Sequence, residues 1–428
     1  MLEATTPLEQ IERSVQSRAT SLSLDVDSDD GRARLREMID ETVLEWTAQH
    51  QRGQRQIALS DPEGVADRAF RNLARYGPLT ELLDDDDVWE IMVNAPDSIF
   101  VRRHSGGSRF HDEVFHDDEH VTRTITKLLD DSGTSHRKLD PKEGLQDAQL
   151  DSGARIHLVH GDLSRGGHLL LNIRKFSGVS ITRLDELVRR GSLTTNAAEF
   201  LSAAVRSRMS IIFAGAPGAG KTTLLSCCAA ELDPSLRVVV AEEVFEADVP
   251  ILNVASMQTR PARSDRSEVD LRRLVAGFLR MAPDVAIVGE VRDREALPLL
   301  LTLSSGVTGY TTIHSGSAHS ALTRLKFLAQ LGDRQDIPVA ALNSMVSESV
   351  DLVVHTERTS SGPQVSSILA VEDLTSGPDA VNFTTTELFS RDREHASLEP
   401  TGLIPLRATK KMARFGFDTR TLLGEKVT

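Results

Sequence analysis

The chain has 428 residues, 39% of them hydrophobic and 26% charged, with a formal net charge of −14. It is too long for one ordinary core and has the composition of a folded protein. Its acidity excludes a general nucleic-acid binder while leaving room for a local basic groove.

The opening Met1-Leu2-Glu3-Ala4-Thr5 has no basic or apolar leader pattern, and no apolar run is long enough to span a bilayer. A cytosolic chain is expected, with any membrane association made through a partner. Residues 1–33 are polar and acidic and read as a flexible lead-in with one short helix. Over 33–49, Leu35, Met38, Ile39, Val43, Leu44 and Trp46 recur near helical spacing, which predicts a helix. Asp61-Pro62-Glu63 opens another, with Asp61 as cap, Val65, Ala69, Phe70 and Leu73 as its apolar face, and Gly77-Pro78 as its stop. The four acids Asp84 to Asp87 read as a solvated turn, because no spaced ligand set surrounds them to make a metal site.

Residues 88–93 and 98–101 read as a hairpin across Asn94-Ala95-Pro96-Asp97. A helix is expected over 121–129, and short strands over 148–150, 154–159 and 169–173. Residues 75–180 therefore form a small α+β domain. Arg155 lies on one of these strands, and Arg174-Lys175-Phe176 closes another. Each arginine is read either as a solvated charge or as a phosphate contact across a domain or subunit boundary.

Ser177-Gly178-Val179-Ser180 reads as a linker. A segment over 184–191 and a helix over 196–206 lead to the apolar strand Ile211-Ile212-Phe213-Ala214. Then comes Gly215-Ala216-Pro217-Gly218-Ala219-Gly220-Lys221-Thr222, followed from Thr223 by a helix-forming run to 232. Strand, glycine loop and helix in this order are the context of a phosphate-binding loop. The glycines let backbone N–H groups face an anion, and the helix N-terminus adds partial positive charge. Lys221 would reach the outer phosphates of a nucleoside triphosphate, and Thr222 would offer its hydroxyl to Mg²⁺. The plainer alternative is a glycine-rich turn with a chance lysine. Cys227 and Cys228, the only cysteines, exclude a disulfide framework and read as small buried apolar residues rather than a redox pair.

Beyond the loop, buried strands over 238–241 and 285–288 end on Glu242-Glu243 and Gly289-Glu290-Val291-Arg292, and a strand over 310–313 ends on His314. A further strand is expected over 251–254. A helix is expected over 268–280, with Leu271, Leu274, Val275, Phe278 and Leu279 inward, and one capped by Asp293 runs to 303. Helices over 318–331 and 338–349 follow, then strands over 352–355 and 365–371. From Thr375 the pattern weakens. Residues 391–400 read as a loop and 410–415 as a closing helix. This alternation is an α/β sheet with polar residues gathered at strand C-termini, where ligands bind.

Hydrolysis of a nucleoside triphosphate needs a phosphate cradle, a metal, a group that orients water and cations for developing charge. Glu290 is the candidate to act on the metal shell or polarise water; the alternative is a carboxylate at a helix N-terminus. Glu242, Glu243 and Glu246 would add carboxylates beside the metal if they face it. His314 is read as a phosphate sensor or water-positioning group, or as a structural histidine.

These motifs together resemble the secretion ATPases of type II and type IV systems and type IV pili. Ala241-Glu242-Glu243-Val244-Phe245-Glu246 is similar to the family's acidic box, and Ile287-Val288-Gly289-Glu290-Val291-Arg292 to its Walker B region. Thr311-Thr312-Ile313-His314 is similar to the end of its histidine box. Asp87-Val88-Trp89-Glu90-Ile91-Met92-Val93-Asn94 and Asn172-Ile173-Arg174-Lys175-Phe176 are similar to motifs of its N-terminal domain. Within the family, the missing four-cysteine zinc motif argues against the type II secretion and type IVa assembly branch, and Ile173-Arg174-Lys175-Phe176 with the helical extension most resembles the CpaF/TadA branch, which powers Flp (Tad) pilus assembly.

The resemblance implies a RecA-like P-loop ATPase domain over 181–428, preceded by a smaller α+β (PAS-like) domain over 75–180 and a flexible lead and helical extension over 1–74. It also implies a homohexamer, ATP and Mg²⁺ held between the two domains, an inner-membrane platform protein as partner, and no direct nucleic acid. The metal would be held by Thr222, Glu243 and Glu290. Arg155 and Arg174 become candidate phosphate contacts, and Arg280 and Arg292 weaker ones. Val307 stands where the family's upstream histidine is usual, Glu243 replaces an aspartate, and Ala282 stands where arginine is common. These departures keep open a nucleotide-binding subunit of low turnover, and a nucleic-acid translocase is a third reading.

Overall fold

The computed structural model describes residues 6–103, 106–132, 138–175, 181–260, 267–331, 337–377, 380–391 and 396–424. The leader reading at Met1 to Thr5, Phe176 and the linker reading at Ser177 to Ser180 lie outside the described residues. The chain divides into two compact units, Met1–Val179 and Ser180–Thr428.

The first unit opens with three helices, α1 (Pro7–Ser21), α2 (Asp29–Gln51) and α3 (Pro62–Ala74). The lead-in expected to be flexible with one short helix instead carries a 15-residue helix. Its start is a capping box: Thr6 Oγ1 accepts from the Glu9 amide and Glu9 Oε2 accepts from the Thr6 amide, with Pro7 in the first turn. Ile11, Val15 and Ala19, four residues apart, form a stripe that packs with Leu35, Met38, Ile39 and Trp46 of α2 and Ala69 of α3. Burial of each larger side chain contributes about 1.5–3 kcal/mol, which outweighs the polar composition of the other face. The Glu12 carboxylate is buried but satisfied, accepting from Asn72 Nδ2 at 2.7 Å and facing His116 Nε2 at 2.8 Å.

A short helix α4 (Leu79–Asp84) leads into β1 (Val88–Ala95), β2 (Ser98–Arg103), β3 (Arg109–Phe110), α5 (Asp118–Asp130), β4 (Leu145–Gln149), β5 (Arg155–Val159) and β6 (Leu170–Arg174). The strands form one antiparallel sheet in the order β3-β2-β1-β6-β5-β4. Ile91, Val93, Ile156, Leu158, Leu171 and Ile173 alternate onto one face, where Val121, Ile125 and Leu128 of α5 cover them. Arg155 and Arg174 are register partners across β5 and β6, so the fold sets these two guanidinium-bearing residues side by side.

The second unit runs α6 (Leu184–Arg189), α7 (Thr195–Arg206), β7 (Ile211–Gly215), α8 (Lys221–Ala229), β8 (Val238–Glu242), β9 (Val254–Gln258), α9 (Leu271–Ala276), β10 (Val285–Val291), α10 (Ala296–Ser304), β11 (Thr308–His314), α11 (Ala318–Leu331) and α12 (Val339–Ser349). It continues through β12 (Leu352–Thr359), β13 (Gly362–Gly377), β14 (Ala380–Ser390), β15 (Glu399–Pro400), α13 (Leu406–Ala413) and α14 (Thr419–Leu422). The sheet order is β15-β14-β13-β12-β7-β11-β10-β8-β9, parallel from β12 to β9 and antiparallel beyond. Both faces are covered, so the strands are continuous apolar runs. Ile211, Phe213, Val238 and Val240 face α7 and α8, while Ile212, Ala214, Val239 and Ala241 face α9 to α12. Cys227 and Cys228 are buried in the first of these layers, and burial pushes the Cys227 thiol up to about 12.

Four local expectations change. The strand expected over 251–254 begins only at Val254, because Leu252 is 99% exposed and pairing with β8 starts at Val238 opposite Val254. The helix expected over 268–280 is α9 followed by a 3₁₀ turn, Phe278–Met281. The tighter turn rotates Leu279 to the surface, where it is 52% exposed. Asp293 does not cap α10; Glu295 Oε1 instead accepts from the Asp293 and Arg292 amides. The weak pattern after Thr375 and the loop read over 391–400 conceal β14 and β15.

Candidate functional site

The C-terminal ends of β7, β8, β10 and β11 bring the polar residues of this unit together. β7 runs into the glycine loop, where Gly215, Gly218 and Gly220 all have positive φ. Gly215 also lies under β12: a Cβ there would stand 2.3 Å from the Thr356 carbonyl oxygen. Gly220 is the left-handed residue before α8, so no side-chain cap covers the first amides of that helix. Ala216, Pro217 and Ala219 complete the turn, which closes by a bond from the Ala219 amide to the Ala216 carbonyl. Thr222 and Thr223 sit half-buried in the first turn of α8.

Lys221 is 7% exposed, and its Nζ donates to the Ala216 carbonyl at 2.9 Å and lies 3.2 Å from His314 Nδ1. Nδ1 also lies 3.3 Å from the Gly215 carbonyl, but the closer ammonium can only donate, so Nδ1 is assigned as its acceptor and the ring proton to Nε2. That nitrogen lies 2.8 Å from Glu290 Oε1. β11 sets this position by pairing His314 directly opposite Gly215.

Glu290 is placed by an irregularity in β10. Pairing with β11 is regular to Val288, slips, and resumes at Val291, leaving Gly289 and Glu290 out of step. Thr312 Oγ1 fastens the slip by donating to the Gly289 carbonyl at 2.7 Å. Glycine is required at 289 because a Cβ would stand 2.8 Å from Glu242 Cγ. Burial pushes the Glu290 carboxyl up, but the contacts with His314 and Arg292 outweigh it and hold it down to about 2. Arg292 donates from Nη2 to Glu290 Oε2 at 2.7 Å and from Nη1 to Glu243 Oε2 at 2.6 Å. Bonding to Glu290 holds the Arg292 guanidinium firmly charged against its desolvation.

The structure thus joins Lys221, His314, Glu290, Arg292 and Glu243 in one chain of contacts beside the loop. Glu242 is 2% exposed, and its Oε1 accepts from the Glu246 and Ala247 amides at 3.1 and 2.9 Å, which shapes the backbone after β8. Arg155 and Arg174 belong to the other unit.

Two residues near the loop escaped the sequence reading. Arg358 on β12 donates from Nη1 to the Gly218 carbonyl at 3.2 Å. Thr356 donates from Oγ1 to the Ala214 carbonyl at 3.1 Å. Both come from about 140 residues downstream, and only the pairing of β12 with β7 reveals them. Neither the loop nor its surroundings contain a set of three or more His, Cys, Asp or Glu side chains suited to a metal, among the described residues. A divalent ion would be held by phosphate oxygens and water together with the Thr222 hydroxyl, as Mg²⁺ commonly is.

A family model described as type II/IV secretion system protein matches residues 72–362. The probable conjugal transfer protein TrbB of Sinorhizobium fredii (strain NBRC 101917 / NGR234) is 32% identical over 311 residues, covering 69% of this chain and 86% of that protein. The type IV secretion system protein PtlH of Bordetella pertussis (strain Tohama I / ATCC BAA-589 / NCTC 13251) is 30% identical over 304 residues, covering 64% and 87%. Among solved structures, the VirB11 ATPase from the Brucella suis type IV secretion system is 25% identical over 68% of this chain and 94% of that one, with a TM-score of 0.37.

Proposed function

The chain belongs to the type II/IV secretion system protein family, and on that premise we propose that it is an ATP-hydrolysing motor subunit. In this reading a RecA-like domain follows a PAS-like domain, and six copies assemble at the inner face of the cytoplasmic membrane on a platform protein. The work done is Flp/Tad-like pilus assembly or secretion. The observation that carries the proposal is the continuity from Lys221 through His314 to Glu290, which links a phosphate-binding lysine to a carboxylate at the edge of the same cradle.

The residues fit a magnesium nucleotide. The positive-φ glycines leave amides facing an anion, Lys221 supplies a desolvated cation, and Thr222 offers the hydroxyl that would join Mg²⁺. When bound, Mg²⁺ supplies charge neutralisation on the phosphates. Lys221 then exchanges His314 Nδ1 for phosphate oxygens. Glu290, ionised with a carboxyl held near 2, is a weak proton acceptor in this arrangement. It acts by orienting the attacking water, with His314 fixing its carboxylate. In the same reading Arg155 and Arg174, register partners on β5 and β6, are candidate phosphate contacts. The test is Mg²⁺-dependent phosphate release by the purified chain. Lys221→Ala abolishes it together with nucleotide binding; activity that survives Lys221→Ala would remove the loop from the mechanism.

A second reading is a subunit of a conjugal transfer or type IV secretion machine rather than of a pilus. The names of the relatives TrbB and PtlH favour it. Co-purification from the native host distinguishes the two by which membrane complex the chain enters.

A further inference from the structure

Arg292 occupies the space between two carboxylates that a magnesium-dependent phosphate site would be expected to offer to its metal. One arm of the guanidinium donates to Glu243 and the other to Glu290, at 2.6 and 2.7 Å. Glu243 follows the end of β8 and Glu290 lies on β10, so only the fold brings the two acids to one cation. A planar fork with several donors spans such a gap where a lysine ammonium could not.

The side chains of Glu243 and Arg292 are 45% and 41% exposed, so ions from solvent reach this bridge. A hard divalent cation favours carboxylate oxygens, and two carboxylates without a cation between them repel. The pair therefore needs positive charge, and the chain supplies its own.

We propose that Arg292 is the resident counter-ion of Glu243 and Glu290, and that it keeps divalent metal out of this pair while nucleotide is absent. Metal then enters on the phosphates and Thr222 rather than ahead of the nucleotide. The proposal deepens the reading of the loop as a magnesium-nucleotide site and rests on it. It makes Arg292 a positioning residue: it sets the two carboxylates and decides the order in which metal and nucleotide arrive.

The test uses Mn²⁺ as the probe, measured by electron paramagnetic resonance on the full chain without nucleotide. Arg292→Gln is expected to bind Mn²⁺ at least tenfold more tightly than the parent, a change of about 1.4 kcal/mol. Adding Glu243→Gln to that variant is expected to remove the gain. Glu243→Gln alone, with Arg292 in place, is expected to leave Mn²⁺ binding as in the parent, and this arm stands even if Arg292→Gln does not fold. Equal Mn²⁺ affinity in the parent and Arg292→Gln overturns the proposal. So does weaker binding in Glu243→Gln alone, which would mean that the pair already holds metal. Because no nucleotide is present, a chain that fails to hydrolyse ATP can still give the expected Mn²⁺ result, and the two failures are told apart.

Discussion

His314 Nε2 lies 2.8 Å from Glu290 Oε1, and the opposite nitrogen of the same ring faces Lys221 at 3.2 Å. One imidazole therefore couples the lysine side of the glycine loop to its carboxylate side. His314→Ala should lower kcat by about 10²-fold while leaving nucleotide Kd near its original value. Steady-state hydrolysis and equilibrium binding of a labelled nucleotide check this. A loss of affinity with kcat unchanged would make the ring a support for Lys221 alone.

Gly215 is confined by β12 as well as by its own backbone. A methyl group there meets the Thr356 carbonyl at 2.3 Å, and φ is +154°. Gly215→Ala should destabilise the second unit by roughly 2–3 kcal/mol and impair nucleotide binding, because the strand must move away from the loop. Denaturant titration measures the first effect and binding the second.

Asp351 is 3% exposed and ties three segments. It accepts from the Ser210 amide at 2.8 Å, from Lys411 Nζ at 2.7 Å and from Arg407 Nη2 at 3.3 Å. Asp351→Ala leaves a buried amide without its acceptor and two cations without their anion, at a cost of about 2–3 kcal/mol. Limited proteolysis should then cleave near α13 before the rest of the unit. Unchanged resistance there would show that Ala408 and Met412 hold the helix by packing alone.

The first unit carries its own acid sensitivity. Burial, with help from Arg123 and His116, pushes His120 from an ordinary 6.5 down to about 3. Between those values the unfolded chain takes up a proton that the folded chain refuses. Stability is therefore full above 6.5 and falls as pH drops toward 3, by about 1.4 kcal/mol per pH unit. His120→Asn should show a flatter profile over that window in denaturant melts at stepped pH. Parallel profiles would assign the acid sensitivity to other groups.

What could be read from the chain alone depended on how local each signal was. The glycine loop and the strand ends at Glu290 and His314 announce themselves by spacing, because a phosphate cradle is built from consecutive backbone amides. The extent of the first helix is concealed by composition: Ile11, Val15 and Ala19 are sparse among charges, yet Thr6-Pro7-Leu8-Glu9 carries the capping box that marks its start. A helical period continued across Gly277 points Leu279 inward, whereas the 3₁₀ turn that follows turns it to the surface. Arg358, Thr356 and Asp351 could not be read from spacing at all. Their partners lie far away in sequence, and only the placement of β12 beside β7 assembles them. The slip that sets Glu290 is equally invisible before the register of β10 on β11 is known.

The role of Glu290 is tested most directly by comparing the full chain with Glu290→Gln for nucleotide affinity and Mg²⁺-dependent phosphate release. Glu290→Gln should still bind ATP while hydrolysis falls by about 10²–10⁴-fold. Hydrolysis in Glu290→Gln equal to that of the parent chain, at equal affinity, would contradict it.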